Sequence, residues 1–105
     1  MNGAMFIRWF VLALLVSSVA LCAAYAQKKY QEDVIKTSGG DLTITFIKHG
    51  TLMLSYAGKV IHVDPVTMYA DYTTLPKADL ILITHEHGDH LDMKAVQALA
   101  KSGTQ

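Results

Sequence analysis

The sequence predicts a mixed α/β (α+β) domain, on three observations. Residues 41–47 and 51–63 alternate apolar and polar side chains at period two, the pattern of half-buried strands. Residues 79–84 form a short continuous apolar run, the pattern of a strand covered on both faces. After Asp92, the apolar residues Met93, Val96 and Leu99 recur every three positions, as on one face of a helix. A chain of 105 residues has room for one domain at most.

Taken in order, residues 1–26 read as an address rather than as part of the fold. A short start carrying Arg8 leads into an uncharged run, residues 9–26, that closes in Ala24-Tyr25-Ala26. This is the layout of a secretory signal peptide, with cleavage expected after Ala26 because the peptidase needs small side chains there. The expected destination is secreted or periplasmic. Two alternatives stay open. The 18 residues of the run reach the short end of a membrane span. Cys22 is also a candidate lipid anchor, although Leu21 before it is bulky for that processing site.

Residues 27–40 are polar and end in Gly39-Gly40, a turn signal; they read as a spacer with a short strand around Val34 and Ile35. In 41–47, Leu42, Ile44 and Phe46 alternate against Thr43 and Thr45. Residues 51–56 alternate again, and Ala57-Gly58 offers a tight turn into 59–63, so 51–63 is expected to be a β-hairpin. Asp64-Pro65 stops the return strand, since proline has no N–H for a ladder. Residues 66–77 carry Tyr69, Tyr72 and Pro76 without periodicity and read as a loop. The buried strand at 79–84 follows, then a polar cluster, then a helix capped by Asp92 and ended by Gly103. A polar cluster at the carboxyl end of a strand, just before a helix, is where α/β sheets place their sites.

Composition narrows the function. With 51% hydrophobic and 17% charged residues the chain has a core and is not disordered. The formal charge is zero and no run of Lys or Arg forms a basic patch, so nothing suggests nucleic acid. Cleavage after Ala26 leaves 79 residues; Arg8 goes with the leader, so eight lysines face nine Asp and Glu, a net of −1. The only cysteine, Cys22, is removed as well. The mature chain then has neither disulfide nor thiolate, and any metal chemistry must run on His and carboxylate.

The polar cluster is His85-Glu86-His87-Gly88-Asp89-His90, which holds three of the chain's five histidines. Imidazole and carboxylate are the donors that borderline divalent ions such as zinc select. His85 and His87, two apart, can converge on one ion if the backbone is extended or tightly looped. Asp89 and His90 lie further on, at a distance suited to a second ion, with Gly88 permitting a sharp bend. A solvated polar loop is the bland alternative, but crowded unpaired imidazoles gain nothing structurally. Glu86, between ligands, is expected to face solvent. His62, between Ile61 and Val63 on a strand, reads as structural.

This register resembles the metallo-β-lactamase superfamily, whose signature is His-x-His-x-Asp-His at the end of a buried strand. The preceding Ile83-Thr84 fits, and Leu91-Asp92 after it resembles the branch of ascorbate-phosphate lactonase-like and N-acyl phosphatidylethanolamine phospholipase D-like hydrolases. The likeness spans about residues 41–101. It implies the amino-terminal part of a four-layer αββα sandwich, truncated here, with residues 41–105 as the front of the metallo-hydrolase domain. It also implies two zinc ions, one held by His85 and His87 and the other by Asp89 and His90, with Asp89 also orienting the attacking hydroxide. Iron or manganese fits the same donors. Asp64 is a candidate partner for a ligand histidine or a plain turn-former before Pro65. His49, in Lys48-His49-Gly50, lines the site or shapes the turn, and the turn is the favoured reading. Tyr69 and Tyr72 either border a substrate cleft or pack within their loop.

The resemblance also demands a further His for each ion and a bridging Asp downstream, and none of the residues after His90 is His. The chain is therefore expected to be a fragment of a zinc-dependent hydrolase acting on an ester, lactone, amide or phosphodiester, and inactive by itself. The competing reading is a non-catalytic metal-binding or interaction product of a truncated reading frame. Small-molecule substrates are the partners implied; oligomeric state and substrate identity are not legible.

Overall fold

The computed structural model describes residues 29–105. The expected signal segment, its cleavage point at Ala26 and Cys22 lie outside the described residues.

Five strands form one sheet in chain order: β1 (Gln31–Thr37), β2 (Gly40–Lys48), β3 (Thr51–Tyr56), β4 (Lys59–Val63) and β5 (Leu80–Leu82). The first four run as an antiparallel meander, and β5 joins β4 in parallel. A 3₁₀ turn at Tyr72–Thr74 interrupts the loop before β5, and helix α1 (Met93–Leu99) follows the histidine cluster. The hairpin expected at 51–63 is present. Ala57 and Gly58 both have positive φ, 49° and 74°, as the two central residues of a type I′ turn require.

The stretch read as a spacer is mostly strand. β1 pairs with β2 along its whole length, from Gln31 opposite Phe46 to Thr37 opposite Gly40. Every β1 residue is exposed, so no apolar period marks it. Backbone pairing, the turn at Ser38-Gly39 with Gly40 following at φ 116°, and side-chain bonds from Lys36 to Asp41 and from Thr45 to Glu32 hold it in place.

Register sorts the sheet into two unlike faces. One cross-strand row, Thr45–Met53–His62–Ile81, faces the core. There Ala70, Tyr72, Ala78, Ala95 and Leu99 cluster, with Ile47 and Ile81 packed at the margin. On the opposite face run Ile44–Leu54–Ile61–Leu80 and Phe46–Leu52–Val63–Leu82. None of those eight is buried, and Phe46 is 43% exposed. The alternation in β2 is thus real, but α1 and its loop cover the threonine side.

β5 is shorter than the apolar run around it, and Leu82 and Ile83 are 45% and 36% exposed. Burial on both faces does not hold here, because Leu82 lies in the row on the face that nothing among the described residues covers. Helix α1 begins as expected, with Asp92 Oδ1 accepting from the Lys94 N–H at 2.9 Å. It ends at Leu99, ahead of Gly103, and buries Ala95 and Leu99 while Met93 stays exposed. The other oxygen of Asp92 accepts from the Thr67 N–H at 2.9 Å and from the Thr67 hydroxyl, tying the long loop to the helix. Among the described residues no helix is long and apolar enough to cross a membrane.

His62 is structural, as its strand setting suggests. It is fully buried, with Nε2 3.0 Å from the Pro76 carbonyl and its ring edge-on to Tyr72. Burial lowers its pKa, with the hydrogen bond to Pro76 working the other way, so it is held neutral with Nε2 as donor.

Candidate metal centre

The site begins at the end of β4, where Asp64 takes a left-handed backbone (φ 47°). Its N–H donates to the Leu82 carbonyl at 2.9 Å, and its carbonyl accepts from the Thr51 hydroxyl at 2.6 Å. This stitches together the ends of three neighbouring strands. The carboxylate turns toward the histidine loop. Oδ1 accepts from the Thr84 N–H at 2.7 Å, while Oδ2 accepts from the Thr84 hydroxyl at 2.6 Å and meets His90 Nδ1 at 2.8 Å. Asp64 is therefore both turn-former and histidine partner. Burial pushes its carboxyl up, but the hydrogen bonds from Thr84 and His90 and the charge of His90 outweigh that, and its pKa falls below the ordinary value. An ionised Asp64 makes Nδ1 of His90 the protonated nitrogen and leaves Nε2 as a free donor pair.

The loop closes on itself through two bonds: the N–H groups of His90 and Leu91 both donate to the His87 carbonyl, at 2.9 and 2.8 Å. Gly88 within it is not left-handed, and a Cβ added there meets nothing within 4 Å. The expected need for a glycine bend at that position is not met. Gly50 is the glycine the site requires. A Cβ there would lie 2.9 Å from His90 Cε1 and 3.2 Å from Nδ1, against the very edge that Asp64 holds.

The four residues picked from sequence, His85, His87, Asp89 and His90, do come together. The His85 and His87 rings lie 4.7 Å apart and nearly perpendicular, and those of His85 and His90 lie 4.0 Å apart. Ligand atoms of His85, His87 and Asp89 all fall within 4.8 Å of one another, as do those of His49, Asp89 and His90. Asp89 is common to both groups. It is half-exposed, and burial pushes its carboxyl up, but its own backbone N–H, His90 and His49 together bring its pKa below the ordinary value. Glu86 is exposed, as expected.

His49 belongs to this cluster. The turn favoured as its role is real, since its φ is 57°, but the ring also stands at the site. Its Nε2 lies 3.2 Å from Asp89 Oδ2, and its ring is 5.1 Å from His90 and 5.9 Å from Tyr69. The hairpin register could have revealed this. Pairing Leu52 with Val63 puts the 49–50 turn beside Asp64, at the end of the sheet where the histidine loop starts. Of the two tyrosines, Tyr72 is core, its hydroxyl accepting from the Val66 N–H at 3.0 Å, while Tyr69 flanks His49.

A strand-end cluster of imidazoles sharing one aspartate invites comparison with known proteins. The model of the beta-lactamase superfamily domain matches residues 43–102. The chain belongs to the metallo-β-lactamase superfamily. Within it, a UPF0173 metal-dependent hydrolase of Flavobacterium johnsoniae is 44% identical over 62 residues, covering 52% of this chain and 27% of that one. A crystal structure of a protein described as a metal-dependent hydrolase of Parabacteroides distasonis superposes with a TM-score of 0.70 at 68% identity. That match covers 72% of this chain and 35% of the other. The chain thus spans about a quarter to a third of the length of these superfamily relatives. Its sheet and helix match a truncated version of the superfamily's sandwich.

Proposed function

We propose that the complete protein is a metal-dependent hydrolase whose ions sit on His85, His87, Asp89 and His90, and that this chain is its amino-terminal portion. The observation that carries the reading is two overlapping groups of donors that share Asp89, one with His85 and His87 and one with His90, where Asp64 Oδ2 at 2.8 Å holds His90 in place. The donor set suits zinc, with iron or manganese also accommodated. Divalent ions held there would supply Lewis acidity, bringing the pKa of water toward neutrality and polarising a scissile carbonyl or phosphoryl group. The chain's own residues do the rest. Asp64 fixes the tautomer and tilt of His90, and Asp89 would accept a hydrogen bond from, and so orient, the attacking hydroxide.

The substrate class this supports is a small molecule bearing an ester, lactone, amide or phosphodiester. Leu91-Asp92 favours the lactonase-like branch. The leader supports export, with cleavage after Ala26 and a secreted or periplasmic mature protein; retention by an uncleaved leader or a lipid on Cys22 is the alternative. Metal analysis of the complete protein and a panel of such substrates test the proposal. Asp89→Ala is expected to lower metal content and hydrolysis together. Full activity with unchanged metal would refute the assigned roles.

A further inference from the structure

Resting on the metal-binding reading above, we propose that His49 is a positioning residue for Asp89, holding that carboxylate by a hydrogen bond in the pose it takes at the ion. His49 Nε2 lies 3.2 Å from Asp89 Oδ2, within the ordinary range of an N–H···O bond. An ionised carboxylate only accepts, so the proton between them belongs to Nε2. An Nε2 that carries a proton is not a metal donor. His49 therefore acts through Asp89 and leaves the ion's remaining places to the downstream His and bridging Asp that the resemblance implies. Asp89 needs such a partner. It is half-exposed, and the terminal torsion of a carboxylate is broad, so its own stereochemistry fixes no single direction for its oxygens. His90 Nε2, at 3.6 Å, is too far to hold it. Among the described residues, His49 is the one side chain that hydrogen-bonds to it.

The turn that carries His49 gives an independent reason. Lys48 pairs with Thr51, so His49 and Gly50 are the two central residues of a tight hairpin. His49 stands first, at φ 57°, where tight turns prefer glycine, asparagine or aspartate. The turn gains nothing from an imidazole; the gain lies at Asp89. The rings of Tyr69 and His90, 5.9 and 5.1 Å away, limit the swing of the His49 ring. The arrangement repeats what Asp64 does for His90. In both cases a left-handed residue at the end of the sheet, φ 57° or 47°, steadies a member of the histidine loop through one hydrogen bond. Metal-binding carboxylates are themselves hydrogen-bonded, and losing such a partner costs about 10–100-fold in metal affinity or activity.

The test begins with the metal-free intact chain labelled with ¹⁵N-histidine, at about pH 8, above the ordinary imidazole range. Long-range proton–nitrogen spectra are expected to place the His49 proton on Nε2, and Asp89→Asn is expected to shift that nitrogen's resonance. A proton on Nδ1, or an Nε2 resonance indifferent to Asp89→Asn, overturns the proposal. Zn²⁺ titration of the complete protein then separates holding Asp89 from shaping the turn. His49→Asn suits the turn, but its amide reaches no further than the place of Nδ1. Metal-free stability should be kept while one Zn²⁺ site weakens about tenfold or more. His49→Gln restores an N–H at the reach of Nε2 and should recover most of that affinity. Unchanged Zn²⁺ binding in His49→Asn overturns the proposal, as does an equal loss in both variants. A complete wild-type protein that takes up no metal defeats the metal-binding reading along with this one. Metal bound without regard to position 49 defeats this one alone.

Discussion

The two halves of the histidine loop are built differently. The His90 half is anchored: its side chain is 16% exposed, its Nδ1 is tied to a carboxylate 2% exposed, and that carboxylate also holds the strand end through Thr84. The His85 and His87 half is not. His85 Nδ1 has only the Thr84 hydroxyl at 3.0 Å, and His87 is exposed, with no side-chain hydrogen-bond partner among the described residues. A second ring bond that fixes tautomer and orientation is what makes an imidazole a strong ligand in advance of its metal. One half is thus part of the fold, and the other is left free to be set by any ion it binds.

The difference can be broken most severely at Asp64. Asp64→Ala strips acceptors from the Thr84 N–H, the Thr84 hydroxyl and His90, and is expected to destabilise the chain by about 3 kcal/mol. Zn²⁺ affinity should fall about 10–100-fold. Denaturant unfolding and metal titration measure both, and a stable variant with full affinity would show that the anchor is idle. Gly50→Ala should cost less, about 1–2 kcal/mol, with weaker metal binding because His90 must move; Gly88→Ala, with open space around it, should be silent. Equal effects of the two alanines would contradict the packing described.

His62 provides a control outside both halves. Its pKa is lowered in the folded protein, so as pH falls through about 6.5 the unfolded chain binds a proton first and the native state loses stability. The loss should have a slope of at most about 1.4 kcal/mol per pH unit for one proton, seen in metal-free unfolding between pH 7 and 5. A His62→Gln variant that keeps the same slope would place the effect elsewhere. Smallest of all is His87→Ala, where metal-free stability should change by less than about 0.5 kcal/mol while metal content drops. A large loss of stability there would erase the contrast between the halves.

Much of this was legible from residue types. The hairpin follows from alternation around Ala57-Gly58, the helix start from Asp92, and the side-chain cluster from its crowding of histidines. β1 escaped because an edge strand exposed along its whole length carries no apolar period. The facing of β2 escaped for a subtler reason: Thr45 and His62 line the covered side, while Leu and Ile line the other, so hydrophobicity alone points the wrong way. His49 and Gly50 escaped because their part depends on register. Only the pairing of β3 with β4 carries a turn some 40 residues upstream to the side of Asp89.

Three described non-glycine residues have positive φ: His49, Ala57 and Asp64. Ala57 merely closes a hairpin, but the other two are the side chains that touch Asp89 and His90. Left-handed backbone costs an L-residue about 1–2 kcal/mol, so this corner is under tension that glycine would relieve. Glycine at position 49 would relieve that strain at the cost of the imidazole, whereas at position 64 it would also strip the acceptors that hold Thr84 and His90. Polar side chains at these two left-handed positions make the corner a place where backbone ease gives way to side-chain contacts.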